Sequence, residues 1–256
     1  MPTFDTPEPI SVTVELGVGD LRIVASDRTD TLVEVRPSDP AKKADVTAAE
    51  QTRVEYASGR LLIKAPKNWR QYTFRGGGES VDVQVELPTG SDLRGETGVA
   101  ALHCRGRLGE CRYKTGIGDI QLDRAGAVQL RTGVGDITVE QAGGDAELTT
   151  GSGSLRIDGI DGTAVVKNSN GDVRLGEVAH GAVLAQTGLG KVEIGIRDGA
   201  AAWLDLNTRY GTVRNDLDTA DRPGAGEEAV EVRARTSFGD ITIHRSPASE
   251  PGKDKP

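Results

Sequence analysis

The stretch that decides the fold is Thr115-Gly116-Ile117-Gly118-Asp119-Ile120, because close copies of it recur along the chain. The starts of the regular copies lie 18, 17, 18, 18 and 19 residues apart, counted from Thr97 to Thr187. A repeat of constant length predicts a stack of similar structural units. The copies begin at Thr97 (degenerate), Thr115, Thr132, Thr150, Asn168, Thr187, Thr208 and Thr236, and an outlying copy reads Gly17-Val18-Gly19-Asp20-Leu21.

Each repeat unit, here called a coil, has the pattern of two short strands. Apolar and polar residues alternate in Ile120-Gln121-Leu122 and in Val128-Gln129-Leu130, which is the period of a β-strand. The turn Arg124-Ala125-Gly126 separates them, and the corner motif Thr-Gly-x-Gly-Asp starts the next unit. Glycine suits a corner because it adopts positive φ freely, and aspartate can accept nearby backbone N–H groups.

One coil cannot bury its own inward Ile, Leu and Val side chains, so neighbouring coils must stack, about 4.8 Å apart. The sequence therefore predicts an all-β, single-stranded β-solenoid (β-helix) of ~18-residue coils. One inward column is Ile120/Leu122, Ile137/Val139, Leu155/Ile157, Val173/Leu175 and Val192/Ile194; the other is Val128/Leu130, Ala146/Leu148, Ala164/Val166, Val183/Ala185 and Leu204/Leu206.

The flanking regions are less regular. Residues 1–95 are predicted to form an irregular, strand-rich N-terminal β cap continuous with the solenoid, because an exposed end of a stack needs cover. The repeats then fill residues 96–245, and residues 246–256 have the composition of a disordered tail. Within the cap, the polar residues 37–53 are expected to form a loop or one short helix.

Composition narrows the class of protein. The net charge is −8, which argues against broad binding to nucleic acid and leaves a soluble protein as the expectation. The N-terminal residues show no signal-peptide pattern, and no apolar run reaches the ~20 residues of a membrane helix. We therefore expect a cytoplasmic location, with no anchor and no membrane insertion.

The repeated Gly-Asp-h-x-h units, in which h is apolar, resemble those of a bacterial putative-adhesin family, a domain of unknown function with a β-solenoid fold. The strand 83–87 ends in Pro88-Thr89-Gly90 just before the repeats, which resembles the family's entry into the solenoid. The resemblance covers residues 10–245. It implies the fold and a surface role, and it implies no catalytic residues.

The segment 66–79 is the candidate binding site. Three of the nine aromatic residues lie within six positions there, and arginines alternate with them. Aromatic faces beside arginine can stack on sugars or mark a protein interface. The alternative is a loop whose aromatics plug the end of the solenoid. The candidate binding residues are Trp69, Arg70, Tyr72, Phe74 and Arg75.

Other chemistry-bearing residues have structural interpretations. The corner acids, such as Asp119 and Asp136, depart from the calcium-binding roll motif, so a turn role is favoured and no metal site is predicted. The threonine column is expected to form a structural hydrogen-bonded ladder and not a flat hydroxyl surface for ice or sugar. Cys104 and Cys111 fall at inward positions of the repeat. They are interpreted as buried thiols, with a redox switch as the alternative.

No catalytic or cofactor motif is present, so no catalytic residues and no cofactors are predicted. The leading hypothesis is a non-enzymatic β-solenoid that serves as a structural or protein-interaction module, with a protein partner or self-association. Two alternatives stay open. One is a carbohydrate-active enzyme using Asp119, Asp136 and Asp172, and the other is a glycan-binding module that uses the aromatic segment.

Overall fold

The computed structural model describes residues 2–66, 79–217 and 229–246. Strands dominate, and the chain forms the β-solenoid that the repeat predicts. Among those residues, no helical segment has both the length and the apolarity that crossing a bilayer requires. The chain divides into two compact units, unit 1 (residues 1–137) and unit 2 (residues 138–256), each described by itself.

The described residues of unit 1 form ten strands and one helix. The sequence predicted a loop or one short helix in the polar stretch 37–53, and the structure has the short helix there. The buried Asp45 carboxylate holds the helix against its surroundings, accepting the N–H groups of Asp39 at 3.2 Å and of Ser80 at 3.1 Å. The elements are β1 Thr3–Asp5, β2 Ser11–Ser26, β3 Asp30–Pro37, α1 Lys43–Gln51, β4 Arg53–Ala57, β5 Arg60–Lys64, β6 Val81–Pro88, β7 Asp92–Arg107, β8 Cys111–Ile117, β9 Ile120–Ala125 and β10 Val128–Val134.

The two 16-residue strands, β2 and β7, pass through a corner and serve both faces of unit 1. They pair in parallel, with Val18 beside Val99 and Leu21 beside Leu102, so the outlying copy at 17–21 is a coil in its own right. On one face the order is β4-β5-β2-β7-β8-β10, and on the other it is β1-β3-β6-β2-β7-β9. Only the pairs β4–β5, β3–β6 and β1–β3 among these are antiparallel.

Unit 2 consists of strands alone within its described residues. One face runs in parallel in the order β12-β14-β16-β20-β18, and the other in the order β13-β15-β17-β21-β19, with β11 beside β13. The strands are β11 Ile137–Ala142, which begins at the unit boundary, β12 Ala146–Ser152, β13 Leu155–Ile160, β14 Ala164–Asn170, β15 Val173–Val178, β16 Ala182–Leu189, β17 Val192–Ile196, β18 Ala202–Tyr210, β19 Val213–Asn215, β20 Val230–Phe238 and β21 Ile241–Arg245.

The last two coils of unit 2 are not stacked in chain order. The coil β20/β21 lies between β16/β17 and β18/β19, so the coil that comes last in sequence is next to last in space. Corner hydrogen bonds follow this order, since Thr236 Oγ1 donates to Gly190 O at 3.1 Å and Thr208 Oγ1 donates to Gly239 O at 2.9 Å.

The inserted coil β20/β21 is more deeply buried than the outermost coil β18/β19. Val230, Val232 and Ala234 are fully buried, whereas Leu204 and Leu206 are only half-buried. The predicted inward column is therefore wrong at its end, because Leu204 and Leu206 belong to the outermost coil and do not follow directly on Val183 and Ala185. The other predicted inward residues are 3% exposed or less.

Candidate interaction surfaces

The corner motif packs closely against the neighbouring coil, so that most of its positions have little space for a larger side chain. Gly118 has φ 144°, and a Cβ on it would lie 2.1 Å from the carbonyl oxygen of Ala100 in the neighbouring coil. No side chain fits there. The equivalent glycines in the other coils meet the same obstacle, with 1.9 to 2.2 Å to a neighbouring carbonyl oxygen at Gly19, Gly135, Gly171, Gly190, Gly211 and Gly239.

The threonine of each corner is buried and structural. Thr132 Oγ1 faces the carbonyl oxygens of Gly118 in the neighbouring coil, at 3.1 Å, and of Val134 in its own coil, at 3.2 Å. Thr115 and Thr187 do the same in their coils. The hydroxyls thus form the predicted hydrogen-bonded ladder, which the structure places in the interior, and they do not present a surface to ice or sugar.

The corner aspartates lock each coil to the next one. The Asp119 carboxylate accepts the N–H of Asp136 at 2.9 Å, and Asp172 accepts the N–H of Lys191 at 2.8 Å. Asp240 accepts the N–H of Thr212 at 2.8 Å. Their role is structural, as predicted, but the acceptor reaches the neighbouring coil and not its own turn. Within the described part of the chain, no three His, Cys, Asp or Glu side chains lie together as metal ligands would.

The variable position x of the motif is left pointing outward. In unit 1 this position carries Val99, Ile117 and Val134, which are 44%, 51% and 52% exposed and lie in register on adjacent coils. We call the outward x residues of a unit its corner row. The corner row of unit 1 is aliphatic.

The corner row of unit 2 ends in aromatics. Leu189, Phe238 and Tyr210 lie in register on its three outermost coils and are 49%, 50% and 61% exposed. The rings of Phe238 and Tyr210 stack with centroids 4.8 Å apart and an angle of 11° between planes. The same position carries the polar Ser152 and Asn170 in the coils before them.

Sequence reasoning missed the corner rows because it searched for core and for catalytic residues. A signal was present, however. The position directly precedes a corner glycine in nearly every coil, where the core needs no side chain, and it is still apolar in most coils. In the sequence, apolar residues at a repeated position that does not face the core indicate such a surface.

A second surface is a basic groove in unit 1. The groove has a volume of about 390 Å³, and three arginines line it: Arg60, Arg94 and Arg112. Its two acids are engaged, since Asp92 accepts the N–H of Glu110 at 2.7 Å and the Glu110 carboxylate pairs with Arg112 at 2.6 Å. Among the described residues, no acidic side chain forms an ion pair with Arg60 or Arg94.

The predicted binding residues Trp69, Arg70, Tyr72, Phe74 and Arg75 all lie outside the described residues. The structure therefore neither supports nor contradicts this site, and it stays a prediction.

Cys104 and Cys111 are buried and unpaired thiols in the structure. Burial raises the pKa of Cys111 to about 12 and raises the pKa of Cys104 well above its usual range. Because the thiolate is the nucleophile, neither cysteine has the environment of a reactive site.

Parallel coils locked by a repeated corner define a β-solenoid repeat protein. The chain belongs to the Toastrack DUF4097 family, whose model matches residues 9–246. The resemblance to the bacterial putative-adhesin family is thereby confirmed.

One solved structure shares the fold, and a second is similar over most of its length. The chain is similar to a putative adhesin from Bacteroides fragilis at 13% identity, over 94% of this chain and 95% of the other, with a TM-score of 0.56. A putative adhesin from Parabacteroides merdae is 12% identical over 96% and 95% of the two chains, with a TM-score of 0.46. No curated protein matches the sequence. At such identities the first likeness shows the fold alone.

Proposed function

We propose that this chain is a non-enzymatic interaction module that binds a protein partner through the corner row of unit 2. The observation that carries the proposal is the alignment of Leu189, Phe238 and Tyr210, about half exposed or more, on adjacent coils. Soluble proteins seldom keep large apolar side chains side by side at the surface unless the patch is used. Aromatic residues are also enriched at the centres of protein interfaces.

The scaffold under the row favours binding. Thr236 and Thr208 bond to carbonyls of neighbouring coils, and Asp240 bonds to the backbone of Thr212. These bonds hold the corner before a partner arrives. A preformed surface loses little conformational freedom on binding, so more of its contact energy contributes to affinity.

The absence of catalysis is part of the proposal. The carboxylates of Asp119 and Asp172, which a carbohydrate-active enzyme would use, are occupied by backbone N–H groups. Both thiols are buried, with pKa values raised by desolvation. These contacts support a structural use of the polar residues.

The test is capture of partners from the native host with four forms of the full chain. Leu189→Ser and Phe238→Ser remove apolar surface from the corner row, whereas Arg174→Ser, on an exposed strand position away from the corner, is the matched control. We expect one protein to be captured by the wild type and by the control, and at least tenfold less of it by either corner variant. Equal capture by all forms would refute the corner row as the binding surface.

A second candidate function is binding of an anionic glycan in the basic groove of unit 1. It is favoured by Arg60 and Arg94, whose charges no described acid neutralises, beside the hydroxyls of Ser11 and Thr13. Arginine recognises carboxylate and sulfate groups through paired N–H donors. A uronic-acid oligosaccharide should bind the wild type in calorimetry and lose at least tenfold in affinity with Arg94→Gln. The control Arg156→Gln, at an exposed arginine of unit 2, should bind as the wild type does.

The place where the module acts stays a prediction. Fractionation of the host with protease treatment of intact cells separates the expected cytoplasmic location from the surface role that the family resemblance implies. Protection from the protease is the outcome that we expect.

A further inference from the structure

The outer edge of β18 has backbone groups without a strand to receive them. Val230 N–H donates to Ala201 O at 2.8 Å, and β20 pairs with β18 from Ala202 onward. In a parallel ladder alternate residues direct both N–H and C=O to the same neighbour. The odd-numbered residues of β18 therefore bond to β20, and Ala202, Leu204, Leu206 and Thr208 direct theirs to the outer edge. No described strand lies on that side.

Within the described residues, this edge carries two charges but lacks most other features by which proteins prevent edge pairing. Such features are short length, proline, lysine and bulges. Strand β18 has nine residues, with no proline, no lysine and no glycine, and its Trp203 is 53% exposed. By contrast, the outermost strand β4 of unit 1 has five residues and carries the ion pair of Arg53 with Glu55 on its surface.

The charges on β18 are complementary to those on a second, antiparallel copy of the same strand. Asp205 and Arg209 lie four residues apart on the outward face, so an antiparallel two-fold pairing centred on Asn207 sets each Asp205 opposite the Arg209 of the other copy. Oppositely charged residues directly opposite each other on antiparallel strands attract. The same register pairs Leu206 with Thr208, and the edge groups of both residues point toward the partner strand.

Contacts within the chain leave these side chains accessible. Among the described residues, Asp205 has one exposed contact, with Arg235 at 3.5 Å, and its own side chain is 39% exposed. No described acid forms an ion pair with Arg209. Both charges can therefore bridge to a second molecule without breaking a buried contact.

We propose that two copies of this protein associate through their β18 edges, in an antiparallel two-fold arrangement held by two Asp205–Arg209 pairs. A two-fold contact uses the same surface on both molecules and closes, so it gives a dimer and not a filament. The inference is independent of the corner-row function, because it uses the strand edge and not Leu189 or Phe238.

Charge reversal tests the register directly. Sedimentation equilibrium of the full chain should give a dimer, and Asp205→Arg or Arg209→Asp should each raise the dissociation constant at least tenfold by placing like charges opposite each other. The double variant Asp205→Arg/Arg209→Asp restores opposite charges in exchanged places, and we expect its dissociation constant to return to within about threefold of the wild type.

Two controls keep the result interpretable. Circular dichroism melting should show all variants folded, since both positions are at the surface, and Arg174→Asp should dimerise like the wild type. A wild type that is monomeric up to high micromolar concentration overturns the proposal. So do single variants that still dimerise, a double variant that does not, or a dimer that is lost with Phe238→Ser but not with Asp205→Arg.

Discussion

At the scale of the residue, the corner motif decides which side chains can stand where. Two glycines with positive φ show how much of that constraint comes from the neighbouring coil. Gly135, with φ 146°, would place a Cβ 2.2 Å from the carbonyl oxygen of Gly118, whereas Gly59, with φ 74°, has no atom within 4 Å of the same position. Backbone conformation is unfavourable for other residues at both sites, but only the first is also blocked by another coil.

Gly135→Ala should therefore reduce the free energy of unfolding by more than about 3 kcal/mol, because the coils must move apart to admit the methyl group. Gly59→Ala should cost only about 1 kcal/mol, the penalty of positive φ alone. Urea unfolding followed by circular dichroism measures both. Similar losses for the two variants would mean that the neighbouring carbonyl does not constrain the corner.

Burial of ionisable groups in unit 1 predicts instability at alkaline pH. Desolvation raises the pKa values of Cys111 and Tyr113 to about 12, from ordinary values of 9.0 and 10.0. The folded protein therefore keeps protons that the unfolded chain releases. The contribution of these two groups to the free energy of unfolding should be fully present below about pH 9. It should fall as the pH rises toward 12, by ~1.4 kcal/mol per pH unit for each such proton.

Tyr113→Phe tests whether Tyr113 contributes to this pH dependence, because phenylalanine has no hydroxyl proton to release. The variant will be less stable near neutral pH, since Tyr113 Oη bonds to Thr97 Oγ1 at 3.0 Å. Its stability should nevertheless fall less steeply than that of the wild type above pH 10. Parallel curves would contradict a protonated Tyr113 in the folded state.

Some residue-scale features were predictable from the sequence and others were not. Alternation alone placed Ile120, Leu122 and Tyr113 in the core, because a strand buries every second residue. The partner of Asp119 was not predictable, since its carboxylate bonds to the next coil and sequence shows only local neighbours. The outward corner rows were visible as apolar residues, but only the structure shows that nothing covers them among the described residues.

At the scale of the element, the strands were more predictable than their order in space. The repeat length fixed the parallel stacking of coils up to β16 and β17. Nothing in it distinguished the observed order of the last two coils from chain order, because both coils have the same alternation of inward and outward positions. One signal favoured the observed order: the coil of β18 has Thr212 where most corners have aspartate, and an outermost coil has no next backbone to bond.

Disulfide trapping tests the order of the coils. Arg214 lies beside Thr242, and Thr242 lies beside Glu193, so Arg214 and Glu193 are two coils apart. Cysteines at 214 and 242 should cross-link, because adjacent strands lie about 4.8 Å apart, within disulfide reach. Cysteines at 214 and 193 should not, because about 9.6 Å separates them. Efficient cross-linking of the second pair would indicate chain order, in which β19 would lie between β17 and β21.

At the scale of the whole molecule, the family and the fold define an architecture and leave function to the surfaces. The net charge of −8 makes the basic groove of unit 1 a local exception, while the corner row and the β18 edge of unit 2 are uncharged or paired in charge. Composition could predict the general charge, but not these local surfaces. Residues far apart in sequence form the groove and the corner row, and the exposure of the β18 edge depends on the order of the coils.

The most direct test of the central claim is photo-cross-linking from the corner row. A benzophenone amino acid in place of Phe238 has nearly the shape of the native side chain and reacts only with what touches it. In the native host it should give one specific cross-linked protein, while the same probe in place of Arg174, on the exposed face of unit 2, should give none. Identical cross-linking from both positions, or none from position 238, would contradict the assignment of the corner row as the partner-binding surface.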